Sequence, residues 1–162
     1  MHNAIELAGF AAAQAACCLF DRIPLLPLAF SRRALSPPIV SVLGSRTPEA
    51  VIAEALEWLD MNMHGADEAV VLFDAYITVP AGRKDAVVLD ARAYGSRVRQ
   101  MRLAVPYRPH HDPQGFAVYR PKFVVATPDE HDVTALRAAF FKGVESHPIG
   151  RRVWQACADE SW

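Results

Sequence analysis

The 162-residue chain is predicted to fold as one α+β domain, a mainly antiparallel sheet with amphipathic helices packed on one face. Three observations predict it. Between residues 69 and 126 apolar and polar residues alternate with the period of two that a half-buried strand requires. Turn-forming Pro, Gly and Ser residues interrupt that pattern at hairpin intervals. Segments of helical period flank it on both sides. The composition is that of a globular chain, with 52% apolar and 22% charged residues. A formal net charge of −1 gives no long-range field to steer the protein onto nucleic acid or an anionic membrane.

The first element is an alanine-rich helix over residues 3–14, suited to close packing through small side chains. Two apolar runs follow, 15–20 and 23–30, parted by Asp21 and Arg22, and they read as a hairpin. Pro24 and Pro27 cannot donate to a central ladder, which makes the second run an edge. Residues 39–43 form a further strand after Pro37 and Pro38. The apolar stretch 7–20, broken only by Gln14, is fourteen residues long, whereas a bilayer span needs about 20. Glu6 stands where a signal peptide would carry positive charge, so the stretch is read as core and the protein as cytoplasmic. Cys17, Cys18 and Cys157 fit that compartment, because an odd set containing an adjacent pair is not a disulfide framework.

The clearest helix start is Thr47-Pro48-Glu49, an N-cap, a first-turn proline and an early acid. Its stripe is Ile52, Ala55, Leu56, Leu59 and Met63, with Gly65 as the left-handed stop. The meander then comprises strands 69–79, 86–94, 98–107 and 116–126, the last carrying Pro121 and therefore an edge or a bulge. A helix beginning at Thr127-Pro128-Asp129-Glu130 presents Val133, Leu136, Phe140 and Val144 and stops at Pro148. A short helix over 151–158 docks Val153, Trp154 and Cys157.

Parity divides the meander into two faces. Val71, Phe73, Ala75, Ile77, Val87, Leu89, Ala91, Met101, Leu103 and Val105 form the expected core face. Val70, Leu72, Asp74, Tyr76, Val88, Asp90, Arg92, Tyr94, Gln100, Arg102 and Ala104 form the other. A type I turn closing on a left-handed Gly82 sets Val79 against Arg83, with Asp74 opposite Val88 and diagonal to Asp90. Keeping the apolar faces aligned across the next hairpin sets Leu89 against Leu103, Asp90 against Arg102 and Arg92 against Gln100. On that register Asp74, Asp90, Arg92 and Arg102 make one mixed cluster. Such cross-strand charges stabilise a sheet by roughly 0.2–1 kcal/mol and keep an open face soluble. If covered, two carboxylates would instead share a proton or a divalent cation.

The helix, the hairpin, Asp74 and the Asp90-Ala91-Arg92 triplet resemble the PD-(D/E)xK nucleases over about a quarter of the chain. The resemblance implies Asp74 and Asp90 as cation ligands, with Glu54 or Glu57 as the helix acid. Arg92 stands where that family has lysine, and its pKa is too high to relay protons. A second candidate set is the proline-bounded loop 106–115, which holds Tyr107, Arg108, His110, His111 and Asp112. Its Tyr107, Arg108, His110 and His111, with Tyr76 and Tyr94, are the expected binding groups. Arg99 and Arg102 point to opposite faces, so the arginines build no track for a phosphate backbone.

The reading is therefore a non-enzymatic binding or assembly domain acting as a homodimer. The contact is made through the partly apolar second face and the proline-bearing edges, with no cofactor, nucleic acid or membrane partner. The alternative is a divalent-metal hydrolase using Asp74 and Asp90, assisted by Arg92 or Arg102.

Overall fold

The computed structural model describes residues 1–34, 36–44, 47–80, 82–126 and 132–161. The first element, α1 (His2–Phe20), is longer than expected. It runs through residues 15–20, which do not form a strand. The alanines from Ala11 to Ala16 favour helix. The chain leaves it only at Asp21, whose amide bonds to the Cys17 carbonyl, and Arg22, at φ 58°, whose amide bonds to the Leu19 carbonyl. At nineteen residues α1 is long and apolar enough to cross a membrane, and in this fold its apolar residues are the core.

Strands β1 (Leu28–Arg32) and β2 (Ile39–Val42) form a hairpin that joins the meander in one antiparallel sheet. Its order is β2-β1-β3-β4-β5-β6, with β3 at Glu68–Val79, β4 at Gly82–Ala93, β5 at Arg99–Arg108 and β6 at Ala117–Val118. A seventh strand, β7 (Lys122–Ala126), also pairs with β5. The α+β antiparallel architecture is thus the expected one. Strand β1 is interior, however, and β2 is the edge, because Pro24 and Pro27 precede the ladder. The fourth meander strand splits at Arg120 and Pro121 into β6 and β7, with a bulge between Arg102 and Leu103.

The register of β4 on β5 is as the pattern requires: Leu89 opposite Leu103, Asp90 opposite Arg102, Arg92 opposite Gln100. That of β3 on β4 differs by one residue. Val79 pairs with Gly82 and not Arg83, so Asp74 faces Val87 and Leu72 faces Leu89. The slip turns β3 over. Its residues 68–73 are buried on both sides, so an apolar run without alternation left its parity unspecified.

Helices consequently cover both faces and not one. The first face, with Phe30, Val70, Leu72, Leu89, Met101 and Leu103, packs under α1, α3 (Val133–Ser146) and α4 (Gly150–Cys157). The second, with Ala29, Ala69 and Val71, packs under Ala55 and Leu59 of α2 (Pro48–Met61). Thr47 caps α2 through its side chain, as expected, while the stop comes at Asn62, at φ 40°, before Gly65. The buried stripe of α2 is Val51, Ala55 and Leu59, leaving Ile52, Leu56 and Met63 exposed. Asp132 caps α3 by accepting from the Thr134 amide, and the start expected at Thr127-Pro128-Asp129-Glu130 lies outside the described residues. Leu136, Phe140 and Val144 are buried as predicted, and Trp154 anchors α4, while Val133 is exposed.

Two glycines set how close α1 and α3 come. A Cβ on Gly9 would sit 1.9 Å from the Phe140 carbonyl oxygen, and one on Gly143 would sit 1.8 Å from that of Glu6. Both obstacles are backbone and cannot swing aside. Gly143→Ala is therefore expected to lose on the order of 2–3 kcal/mol in urea unfolding. Gly95→Ala, which meets nothing within 4 Å, should stay within about 0.5 kcal/mol of the native chain.

His147 joins the same helices. Its Nδ1 accepts from the Gly150 amide at 2.8 Å, so Nε2–H donates to Gln14 Oε1 at 3.0 Å, and the ring lies 4.6 Å from Phe10. The acceptor role requires a neutral ring, and burial holds its pKa below the ordinary 6.5. With the folded pKa depressed, the unfolded chain takes up the proton first. The contribution is complete above pH 6.5 and is lost as pH falls from there toward the folded value. Unfolding measured from pH 7.5 down to about 5 should show a decline that is shallower in His147→Asn, whose amide oxygen replaces Nδ1 as acceptor.

Candidate interaction site

Of the mixed cluster expected on one face, Asp90, Arg92 and Arg102 come together and Asp74 does not. Asp90 and Arg102 make a two-pronged ion pair, Nε to Oδ1 and Nη2 to Oδ2, each 2.7 Å. Arg92, on the same face, bonds to Asp60 of α2. Tyr94 donates its hydroxyl to the Leu59 carbonyl at 2.6 Å. Arg92 and Tyr94 thus fasten α2 to the sheet, while Asp90 and Arg102 tie β4 to β5 beside a small cavity of about 250 Å³. Asp74 lies on the opposite face, because β3 is turned over relative to the expectation. A sheet separates Asp74 from Asp90, so one cation cannot bridge them and the nuclease-like carboxylate pair is not assembled. Glu54 accepts from the Gly44 amide at 3.0 Å, and Glu57 is exposed.

Asp74 instead accepts from the Tyr107 hydroxyl at 2.9 Å. Burial raises its pKa, the Tyr107 hydrogen bond opposes that shift, and the charge of Asp85 adds to it. The Tyr107 phenol is pushed strongly upward by burial and by the Asp74 carboxylate beside it.

Of the expected binding groups, Tyr76, Tyr107, Arg108 and His111 share one open depression of about 480 Å³, joined by Lys84 and Tyr119. Its cations are already engaged. Arg108 donates to Gly115 O at 2.7 Å, Gln114 Oε1 at 2.8 Å and Asp159 at 3.2 Å, and Lys84 lies 4.1 Å over the Tyr119 ring. Tyr94 and His110 are elsewhere. His110 Nε2–H donates to the Phe20 carbonyl at 2.8 Å and stacks on Phe116, which ties the loop to the end of α1.

The feature that the sequence reading missed is an open strand edge. Strand β1 pairs with β3 only from Glu68 to Leu72, yet β3 continues to Val79. The Tyr94 amide donates to the Asp67 carbonyl at 2.8 Å, so odd-numbered residues of this strand bond toward β4 and even ones turn away. Beyond Leu72 the backbone groups of Asp74, Tyr76 and Thr78 face outward, with no ladder partner among the described residues. Beside this edge runs a cleft of about 840 Å³, walled by Leu25, Leu26 and Pro27, by Val42 and Leu43, and by Val51 and Ile52. Asp74, Tyr76 and Arg83 stand at its polar end. The sequence signal was the mismatch in length between the proline-limited run before residue 30 and the long strand it flanks.

Comparison with family models, with curated proteins and with solved structures returns no match for this chain. The site stands on its geometry.

Tyr107→Phe removes the side-chain hydrogen bond that favours ionised Asp74. The Asp74 carboxyl, followed by carbon-detected NMR over a pH titration, is expected to titrate higher in the variant than in the native chain. An unchanged or lower value would contradict the pairing.

Proposed function

We propose that this protein is a non-enzymatic binding and assembly domain that works as a homodimer, with a second copy docked along the open edge of β3. The observation that carries the reading is the run of ladder groups at Asp74, Tyr76 and Thr78, without partners among the described residues, beside an apolar cleft. Repeated backbone donors and acceptors at strand spacing are matched by another strand.

The comparison with the other edges supports the choice. Exposed sheet edges are usually blunted by shortness, proline or lysine. Strand β2 has four residues and follows Pro37 and Pro38. Strand β7 begins at Lys122, after Pro121. The upper half of β3 has neither shortness, proline nor lysine before its turn at Pro80, and its one charge is Asp74. The sheet face offered by the sequence supports less, since α2 covers part of it.

Light scattering coupled to sizing, run across a dilution series, is expected to give the mass of two chains at high concentration, falling toward one on dilution. A single-chain mass at every concentration overturns the proposal.

A further inference from the structure

We infer that the homodimer is built on a twofold axis at Tyr76, where the upper halves of two β3 strands pair antiparallel and Asp74 of each chain meets Arg83 of the other. The inference rests on the assembly reading above and specifies its register.

Only residues whose backbone faces outward can form the new ladder, and these are Asp74, Tyr76 and Thr78. An antiparallel pair centred on Tyr76 sets Asp74 against the partner's Thr78 and uses all three residues of both chains. Moving the centre toward the turn sets Asp74 against the partner's Pro80, which has no N–H to give. Moving it the other way sets Leu72, already paired with Leu28, against the partner's Thr78. The count of satisfied ladder groups therefore selects one register.

Charge selects the same one. Within a chain Thr78 pairs with Arg83, so Arg83 is the next side chain beyond Thr78 on the same face. Across the axis Asp74 and the partner's Arg83 are two strand spacings apart, about 10 Å between backbones, which the two side chains together span. Arg83 already leans toward the edge, its guanidinium 4.4 Å from the centre of the Tyr76 ring. The symmetry makes two such pairs.

The third element is shape. On this register the partner's Pro80 comes level with Leu72, whose edge Leu28 already occupies, so the partner's tip leaves the ladder after Thr78 and lies over the start of β1. Ile77, Val79 and Pro80 at that tip then meet Leu25, Leu26 and Pro27 of the cleft. An apolar projection and an apolar recess, separate on one chain, coincide between two.

The test is charge reversal with rescue. Asp74→Arg and Arg83→Asp are each expected to weaken the dimer about tenfold or more, and the double variant to restore it to within about threefold of native. Circular dichroism of each variant reports folding independently. A second measurement avoids reliance on these charges. In a chain with Cys17, Cys18 and Cys157 replaced by alanine, Tyr76→Cys should oxidise to a covalent dimer, because directly opposed residues lie within disulfide reach. Thr78→Cys, about 14 Å from its own symmetry mate on this register, should not. A native chain that is monomeric throughout removes the assembly reading and this register with it. A dimeric native chain whose reversals have no effect, or whose Tyr76→Cys form does not cross-link, overturns the register and leaves assembly standing.

Discussion

The lower half of β3 is buried on both sides, and the rest of the molecule follows from that constraint. Residues 68–73 turn Val70 and Leu72 to one face and Ala69 and Val71 to the other, all essentially inaccessible. A strand that is apolar both ways needs cover both ways. On one side α1 supplies it, with α3 and α4 stacked behind. On the other a single helix, α2, lies over Ala29, Ala69 and Val71. Strand β1 completes the enclosure at the edge and stops level with Leu72, where β3 changes to an alternating pattern of exposure. The fold is closed where β3 is continuously apolar and open where it is not.

The charged residues that invite a catalytic reading are fasteners in this arrangement. Asp90 with Arg102 and Arg92 with Asp60 surround the contact of α2 with the sheet. Arg32 plays the corresponding part for α1, reaching Glu68, which is buried, and Glu6, and donating to the Asn3 carbonyl. Partly exposed pairs of this kind contribute little stability individually, about 0–1 kcal/mol. Their value is positional: the planar donors of Arg92 and Arg32 each hold one helix in one place on the sheet, and those of Arg102 hold β5 against β4. The close approach of α1 and α3 is set differently, by the absence of side chains at Gly9 and Gly143.

How much could be read in advance follows from where the sequence alternates. Strands β4 and β5 mix valine and leucine with aspartate and arginine, so their faces and the pairing of Asp90 with Arg102 were legible. Strand β3 offers Ala69, Val70, Val71, Leu72 and Phe73 in succession, and no pattern within it distinguishes one face from the other. The register then hung on the turn, and Gly82, at φ 116°, pairs with Val79 in the ladder where it was expected to close the turn and leave Arg83 as the partner. That single residue carried Asp74 away from Asp90. The end of α1 was hidden by the same kind of uniformity, since a helix apolar on most sides has no stripe to mark where it stops. Four of the six expected binding residues do meet in one depression, but the open edge beside it is a difference in length between neighbouring strands, which no local motif encodes.

That open edge is maintained by the chain just before β1. Continued backward along β3, β1 would place Leu26 opposite Asp74 and Pro24 opposite Tyr76. Pro24 has no N–H for the Tyr76 carbonyl. That proline therefore denies the edge a full internal partner while leaving its apolar surface, with Leu25, Leu26 and Pro27, beside it. Asp74 then limits what else can pair there. A carboxylate on an exposed strand discourages indiscriminate edge-to-edge contact and favours a strand that brings positive charge to the same level. Arg83, one strand inward and leaning across Tyr76, is the nearest such charge that the protein carries on its own hairpin. Protection of the edge and choice of its partner thus fall to the same residue.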